Sequence, residues 1–149
     1  MDMGGTNFRV CKVELLGSGK YTTTQMDAKI PETIKSGTAQ QLWLFIIQCL
    51  RKFVDYHEIP TDELQKIPLA FTFSYPVTQT SVTNGILQRW TKGFDISGVE
   101  GHDVAAELQR ALYENASLPC TSGLPLEIVA LVNDTTGTLM ASSYVDKDT

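Results

Sequence analysis

Apolar residues along the chain recur with two different periods, and short turns rich in Gly, Pro, Asn and Ser separate the stretches that show them. Residues 7–15 and 21–29 are β-prone, and Gly17-Ser18-Gly19 between them supplies the positive-φ positions that a hairpin connection wants. An antiparallel ribbon is expected there. Leu42, Trp43, Ile46, Ile47, Leu50, Phe53 and Val54 return at helical spacing behind Thr38-Ala-Gln-Gln41, which has the form of a capping box. The spacing predicts a helix over 38–56. Ile67, Leu69, Phe71, Phe73 and Tyr75 alternate with smaller or polar partners and stop at Pro76, which predicts a strand with Ser74 at its exit. Residues 85–90 read as another short strand before the loop Thr91-Lys92-Gly93-Phe94. Residues 103–114 read as a second helix, with Val104, Leu108, Ala111 and Leu112 on one face and an acidic start that suits the positive end of the helix dipole. The continuous apolar run at 127–133 carries the pattern of a strand covered on both faces, and a helix-like stretch follows at 139–143. Strands alternating with helices predict an α/β fold.

Composition narrows what such a fold can do. With 149 residues, 42% of them apolar and 19% charged, the chain fits one ordinary domain and leaves little room for a second. Twelve Lys and Arg face seventeen Asp and Glu, and the basic residues are dispersed, so nucleic-acid binding has no electrostatic footprint. The longest apolar stretches, 42–47 and 128–132, fall far short of the ~20 residues that cross a bilayer, and no membrane span is expected. No basic start leads into an apolar segment, so a cytoplasmic chain is expected, for which the sequons Asn115-Ala-Ser117 and Asn133-Asp-Thr135 carry no meaning. Cys11, Cys49 and Cys120 are odd in number and widely spaced, which suggests neither a disulfide framework nor a zinc site.

Four polar clusters fall at strand exits or turns, where open α/β sheets hold their ligands. Asp2-Met-Gly-Gly-Thr-Asn7 sets two glycines between a carboxylate and short hydrogen-bonding side chains, which lets backbone N–H groups approach a phosphate; Arg9 could add charge. The alternative is a plain turn. No Gly-Lys-Ser/Thr follows, so this is not a P-loop. Asn133-Asp134 ends an apolar strand, where partial desolvation can raise a carboxylate toward the range useful to a general base, or where it can simply form an Asx turn or helix cap. Thr135, Thr136 and Thr138 around Gly137 could bind phosphate or cap the next helix. Ser74, Thr91 and Lys92 are individually commonplace loop residues, and His57 and His102 are expected at the surface.

Taken in order, the clusters resemble the hexokinase family over almost the whole chain. Phe71-Thr-Phe-Ser-Tyr-Pro-Val-Thr-Gln79, followed by Gly85-Ile-Leu-Gln-Arg-Trp-Thr-Lys-Gly-Phe94, is similar to the family's sugar-binding signature. Asp2-Met-Gly-Gly-Thr-Asn-Phe-Arg9 resembles its first phosphate loop, and Asn133-Asp-Thr-Thr-Gly-Thr138 the segment carrying its catalytic aspartate. Phe94-Asp-Ile-Ser-Gly-Val-Glu-Gly-His-Asp103 looks closest to fungal members. Met3 stands where the family usually has Leu, and Asp27 where it often has a basic residue near the nucleotide.

The resemblance implies an actin-like ATPase, ribonuclease-H-like fold: a mixed sheet with flanking helices, here incomplete at both ends. It implies transfer of the ATP γ-phosphoryl group to the 6-hydroxyl of glucose or a similar hexose, the step that opens glycolysis. Asp134 would then be the base, and Ser74, Thr91, Lys92, Asn133 and Asp134 would hold the sugar. Asp2 would face Mg²⁺, with Gly4, Gly5, Thr6, Asn7 and Arg9 lining the ATP phosphates. On this reading residues 1–149 are the small lobe and the first part of the return into a large lobe that is missing, and the chain alone is a fragment with little or no turnover. A sugar-sensing module that kept the pocket, or a nucleotide-dependent scaffold of the actin or chaperone type, are the competing readings.

Overall fold

A computed structural model of the chain describes residues 1–61, 65–115 and 124–133. A two-residue strand β1 (Asp2–Met3) leads into the long ribbon of β2 (Asn7–Gly17) and β3 (Lys20–Lys29). The ribbon turns through Gly17, Ser18 and Gly19 at φ values of 80°, 52° and 72°, the left-handed conformations that glycine adopts at little cost. After the single turn α1 (Glu32–Lys35) comes α2 (Ala39–Tyr56). Its capping box is complete: Thr38 Oγ1 accepts from the Gln41 N–H at 3.3 Å, and Gln41 Oε1 accepts from the Thr38 N–H at 2.9 Å.

Strand β4 (Ile67–Phe73) runs into the small hairpin β5 (Val77–Thr78) and β6 (Ile86–Leu87). Helix α3 (Val104–Glu114) is capped by Asp103, whose carboxylate accepts from the backbone of Ala105 and Ala106, and β7 (Leu126–Val132) follows. The main sheet has the order β3-β2-β1-β4-β7, with β1 and β7 parallel to β4 and the remaining pairs antiparallel, so it is mixed.

One face of the sheet builds the core. Met3, Phe8, Phe71, Phe73 and Leu131 are essentially inaccessible and join Leu42, Ile46 and Ile47 of α2 and Leu108 of α3 in a single cluster. No helix among the described residues is long and apolar enough to cross a membrane.

Three expectations change. The strand foreseen over 85–90 is reduced to Ile86–Leu87 because Trp90 sends its hydrogen bonds elsewhere. Its backbone N–H donates to Glu100 Oε1 at 2.6 Å and its indole N–H to the Ile96 carbonyl at 2.9 Å. Strand β7 buries Leu126, Ile128 and Leu131 but leaves Val129 42% exposed, so among the described residues it is covered on one face only. A register shift against β4 between Leu69 and Ala70 accompanies this. His57 is half-buried at the C-cap of α2, its ring 4.6 Å from Phe53 and 4.9 Å from Tyr56. The helix-like stretch at 139–143 lies outside the described residues.

Candidate functional site

Register brings the strand exits together. Asp2 pairs with Thr72 and Met3 with Phe73, while Thr72 pairs with Val132. Because β1, β4 and β7 run parallel, Gly4, Ser74 and Asn133 leave the sheet side by side along its carboxyl edge, the edge at which open α/β sheets place their ligands.

The glycine loop and the Thr91–Phe94 turn meet at this edge. In the loop, the Gly4 N–H donates to the Asn7 carbonyl at 3.1 Å, and the Thr6 carbonyl accepts from Ile30 at 2.9 Å. The turn closes through a Phe94 N–H to Thr91 carbonyl bond of 3.1 Å, with Lys92 at φ 57° and Gly93 at φ 79°. A lysine in this region is uncommon, and surrounding structure must hold it there. That structure is aromatic. Trp90 and Phe94 stack at 5.5 Å, and Tyr75 meets Trp90 edge-on at 5.0 Å and Phe94 at 5.4 Å.

Tyr75 joins the two segments. Its hydroxyl donates to the Gly4 carbonyl at 2.9 Å, and the Lys92 ammonium sits 5.1 Å from its ring centroid. Burial pushes the phenol well above its ordinary range, with the nearby Asp2 charge acting in the same direction. The sequence pattern shows Tyr75 only as another apolar position in an alternating strand. The signal that could have singled it out is Tyr after Phe71 and Phe73, since a buried phenol needs a hydrogen-bond partner.

The remaining candidates are distributed around this junction. Ser74 and Thr91 are half-buried next to Tyr75 and Lys92 respectively; Lys92, Thr6 and Asn7 are exposed. Asn133, exposed at the end of β7, lines a cavity of about 350 Å³ together with Gln79, Thr80, Ser81 and Val82. Asp134, Thr135, Thr136 and Thr138 lie outside the described residues.

Arg9 stands between two carboxylate positions, paired in register with Asp2 on one side and Asp27 on the other. Its Nε donates to Asp27 Oδ1 at 2.7 Å, about half of each side chain being exposed, and that hydrogen bond raises the guanidinium pKa. Asp2 is half-buried in the same row. Among the described residues no group of three His, Cys, Asp or Glu side chains is arranged to hold a metal. Asp2 is the carboxylate that borders the glycine loop. Cys11 and Cys49 are free thiols, and burial pushes Cys49 up to about 11.

Residues 1–144 match the family model described as Hexokinase. The chain belongs to the hexokinase family. It is 48% identical to the hexokinase of Emericella nidulans, covering 98% of this chain and 28% of that protein. It is also 48% identical to the hexokinase of Kluyveromyces lactis, covering 100% of this chain and 29% of that one. In three dimensions it resembles a hexokinase from Schistosoma mansoni complexed with glucose, with a TM-score of 0.84 and 38% identity over 98% of this chain and 31% of that structure. The mixed sheet and its helices therefore belong to the actin-like ATPase fold of the hexokinases, and the chain spans under a third of the length of the relatives it matches.

Proposed function

We propose that this hexokinase-family chain is the small-lobe part of an ATP-dependent hexose kinase, residues 1–149 corresponding to that lobe and the start of the return into a larger one. The reaction transfers the γ-phosphoryl group of ATP to the 6-hydroxyl of glucose or a similar hexose. The carrying observation is the meeting of a glycine loop and a hydroxyl- and ammonium-bearing turn at one sheet edge, tied through Tyr75.

Phosphoryl transfer asks the protein mainly for positioning and charge neutralisation, with one group to orient and deprotonate the nucleophile. In this reading Asp134 accepts the proton of the sugar hydroxyl. Ser74, Thr91, Lys92, Asn133 and Asp134 match the hydroxyls of the hexose, because each buried hydroxyl left unmatched costs about 1–3 kcal/mol. Gly4, Gly5, Thr6, Asn7 and Arg9 would receive the phosphates, and Asp2 would be the carboxylate toward a Mg²⁺ carried by them, an ion that would supply charge neutralisation for the transferred group. Arg9 must divide its donors between Asp27 and phosphate, a competition that weakens this contact relative to an unpaired arginine. A cytoplasmic setting suits an enzyme that consumes ATP.

The test grafts residues 1–149 in place of the corresponding segment of the Kluyveromyces lactis hexokinase, which this chain matches along its whole length. Glucose 6-phosphate formation by the chimaera is expected, with loss of turnover by about 10²-fold or more on Asp134→Asn. The isolated chain is expected to show little or none. A folded chimaera without activity, or an Asp134→Asn chimaera with full activity, overturns the reading.

A further inference from the structure

Tyr75 is 5% exposed, and it spans the distance between the two segments assigned above to different substrates. Its hydroxyl donates to the carbonyl of Gly4, 71 positions away in sequence, while its ring face carries the Lys92 ammonium at 5.1 Å. The Gly4 carbonyl belongs to the same planar unit as the Gly5 N–H, and among the described residues no peptide bond is cis. In a trans peptide the two groups point in opposite directions. Holding the carbonyl against Tyr75 therefore turns the Gly5 N–H to the side away from Tyr75.

Without such a hold, a Gly-Gly peptide is the one most free to rotate, since neither residue carries a Cβ that restricts φ and ψ. A loop that offers N–H donors to phosphate gains affinity only if those donors are already aimed. The Gly4 N–H is occupied by the Asn7 carbonyl, which leaves the Gly5 N–H as the donor whose direction Tyr75 controls. The raised phenol pKa keeps the hydroxyl a donor through the neutral and mildly alkaline range.

We propose that Tyr75 is a positioning residue that couples the two substrate segments: its hydroxyl fixes the Gly4–Gly5 peptide for the nucleotide phosphates, and its ring face fixes the Lys92 ammonium for the sugar. The inference rests on the phosphotransferase reading above. It predicts that the two functions of one side chain are separable, because phenylalanine keeps the ring and loses only the hydroxyl.

The experiment uses the chimaera and measures kinetic constants for ATP and glucose separately. Tyr75→Phe is expected to raise KM for ATP about tenfold, the scale of one lost buried hydrogen bond, while KM for glucose moves less than about twofold because the cation–π contact survives. Tyr75→Leu removes both contacts and is expected to raise both KM values. A merely structural role for the hydroxyl would lower the unfolding temperature without separating the two constants. Equal changes in both KM values for Tyr75→Phe, or no change in either, overturn the inference. An inactive unsubstituted chimaera overturns the phosphotransferase reading itself, so the two failures are distinguishable.

Discussion

Cβ of Lys92 stands 3.2 Å from the point at which a Cβ on Gly5 would lie, with Lys92 Cδ at 3.4 Å from the same point. The glycine loop and the lysine turn are thus in contact through space that only a missing side chain leaves free. Gly5→Ala puts a methyl group against a residue already held at φ 57°, so the turn must shift by a few tenths of an ångström. The expected cost in stability is about 1 kcal/mol, at the low end of overpacking. The functional effect should be larger, because in the proposed kinase Lys92 holds the sugar and a shift of the turn displaces it: KM for glucose in the chimaera is expected to rise several-fold. Unchanged glucose kinetics in Gly5→Ala would show that the contact is incidental.

The capping box of α2 makes a prediction about stability alone. Thr38 and Gln41 exchange two hydrogen bonds at the start of an 18-residue helix that supplies much of the core. Thr38→Ala should destabilise the chain by about 1 kcal/mol, the usual value of an N-cap side chain. Thr38→Ser should recover most of that loss. Urea unfolding followed by circular dichroism measures both, and a Thr38→Ala variant with an unshifted midpoint would contradict the assignment.

Cys49 predicts a pH dependence. Burial raises its thiol from 9.0 to about 11 in the folded chain, so the folded state holds this proton more tightly than the unfolded state does. The resulting stability is fully present below pH 9 and is lost as pH rises toward about 11. Unfolding midpoints at a series of pH values should therefore decline more steeply over that window for the native chain than for Cys49→Ala. Equal slopes would show that the thiol is effectively solvated. Alkylation of Cys49 by iodoacetamide should also be slow at pH 7.5, since the thiolate is the reactive form.

Local patterns carried much of the fold. The ribbon, α2 and α3 are governed by interactions between near neighbours: glycines at the turn, a capping box, an aspartate cap, and apolar residues repeated every three or four positions. The short fate of the segment after Gly85 was not legible, because it depends on where Trp90 finds partners, and both lie in the loop 96–100. The exposure of Val129 was hidden for a related reason. A run of apolar residues reports what a strand can tolerate on its faces, whereas the elements that cover those faces are fixed by packing.

The order of residues along the chain was sufficient to nominate Gly4, Gly5, Ser74, Thr91 and Lys92 and to suggest their family, since their types and spacing survive in linear form. That these groups share an edge was decided only in three dimensions. Parallel pairing of β1 with β4 sets Gly4 beside Ser74 across some 70 intervening residues, a contact that no local propensity encodes. Likewise the alternating pattern does not set Tyr75 apart from Phe71 and Phe73, and only the folded chain brings its hydroxyl to the Gly4 carbonyl. Hydrophobic periodicity determines which face of a strand is buried; which buried hydroxyl meets which distant carbonyl depends on register, and register is a property of the folded sheet.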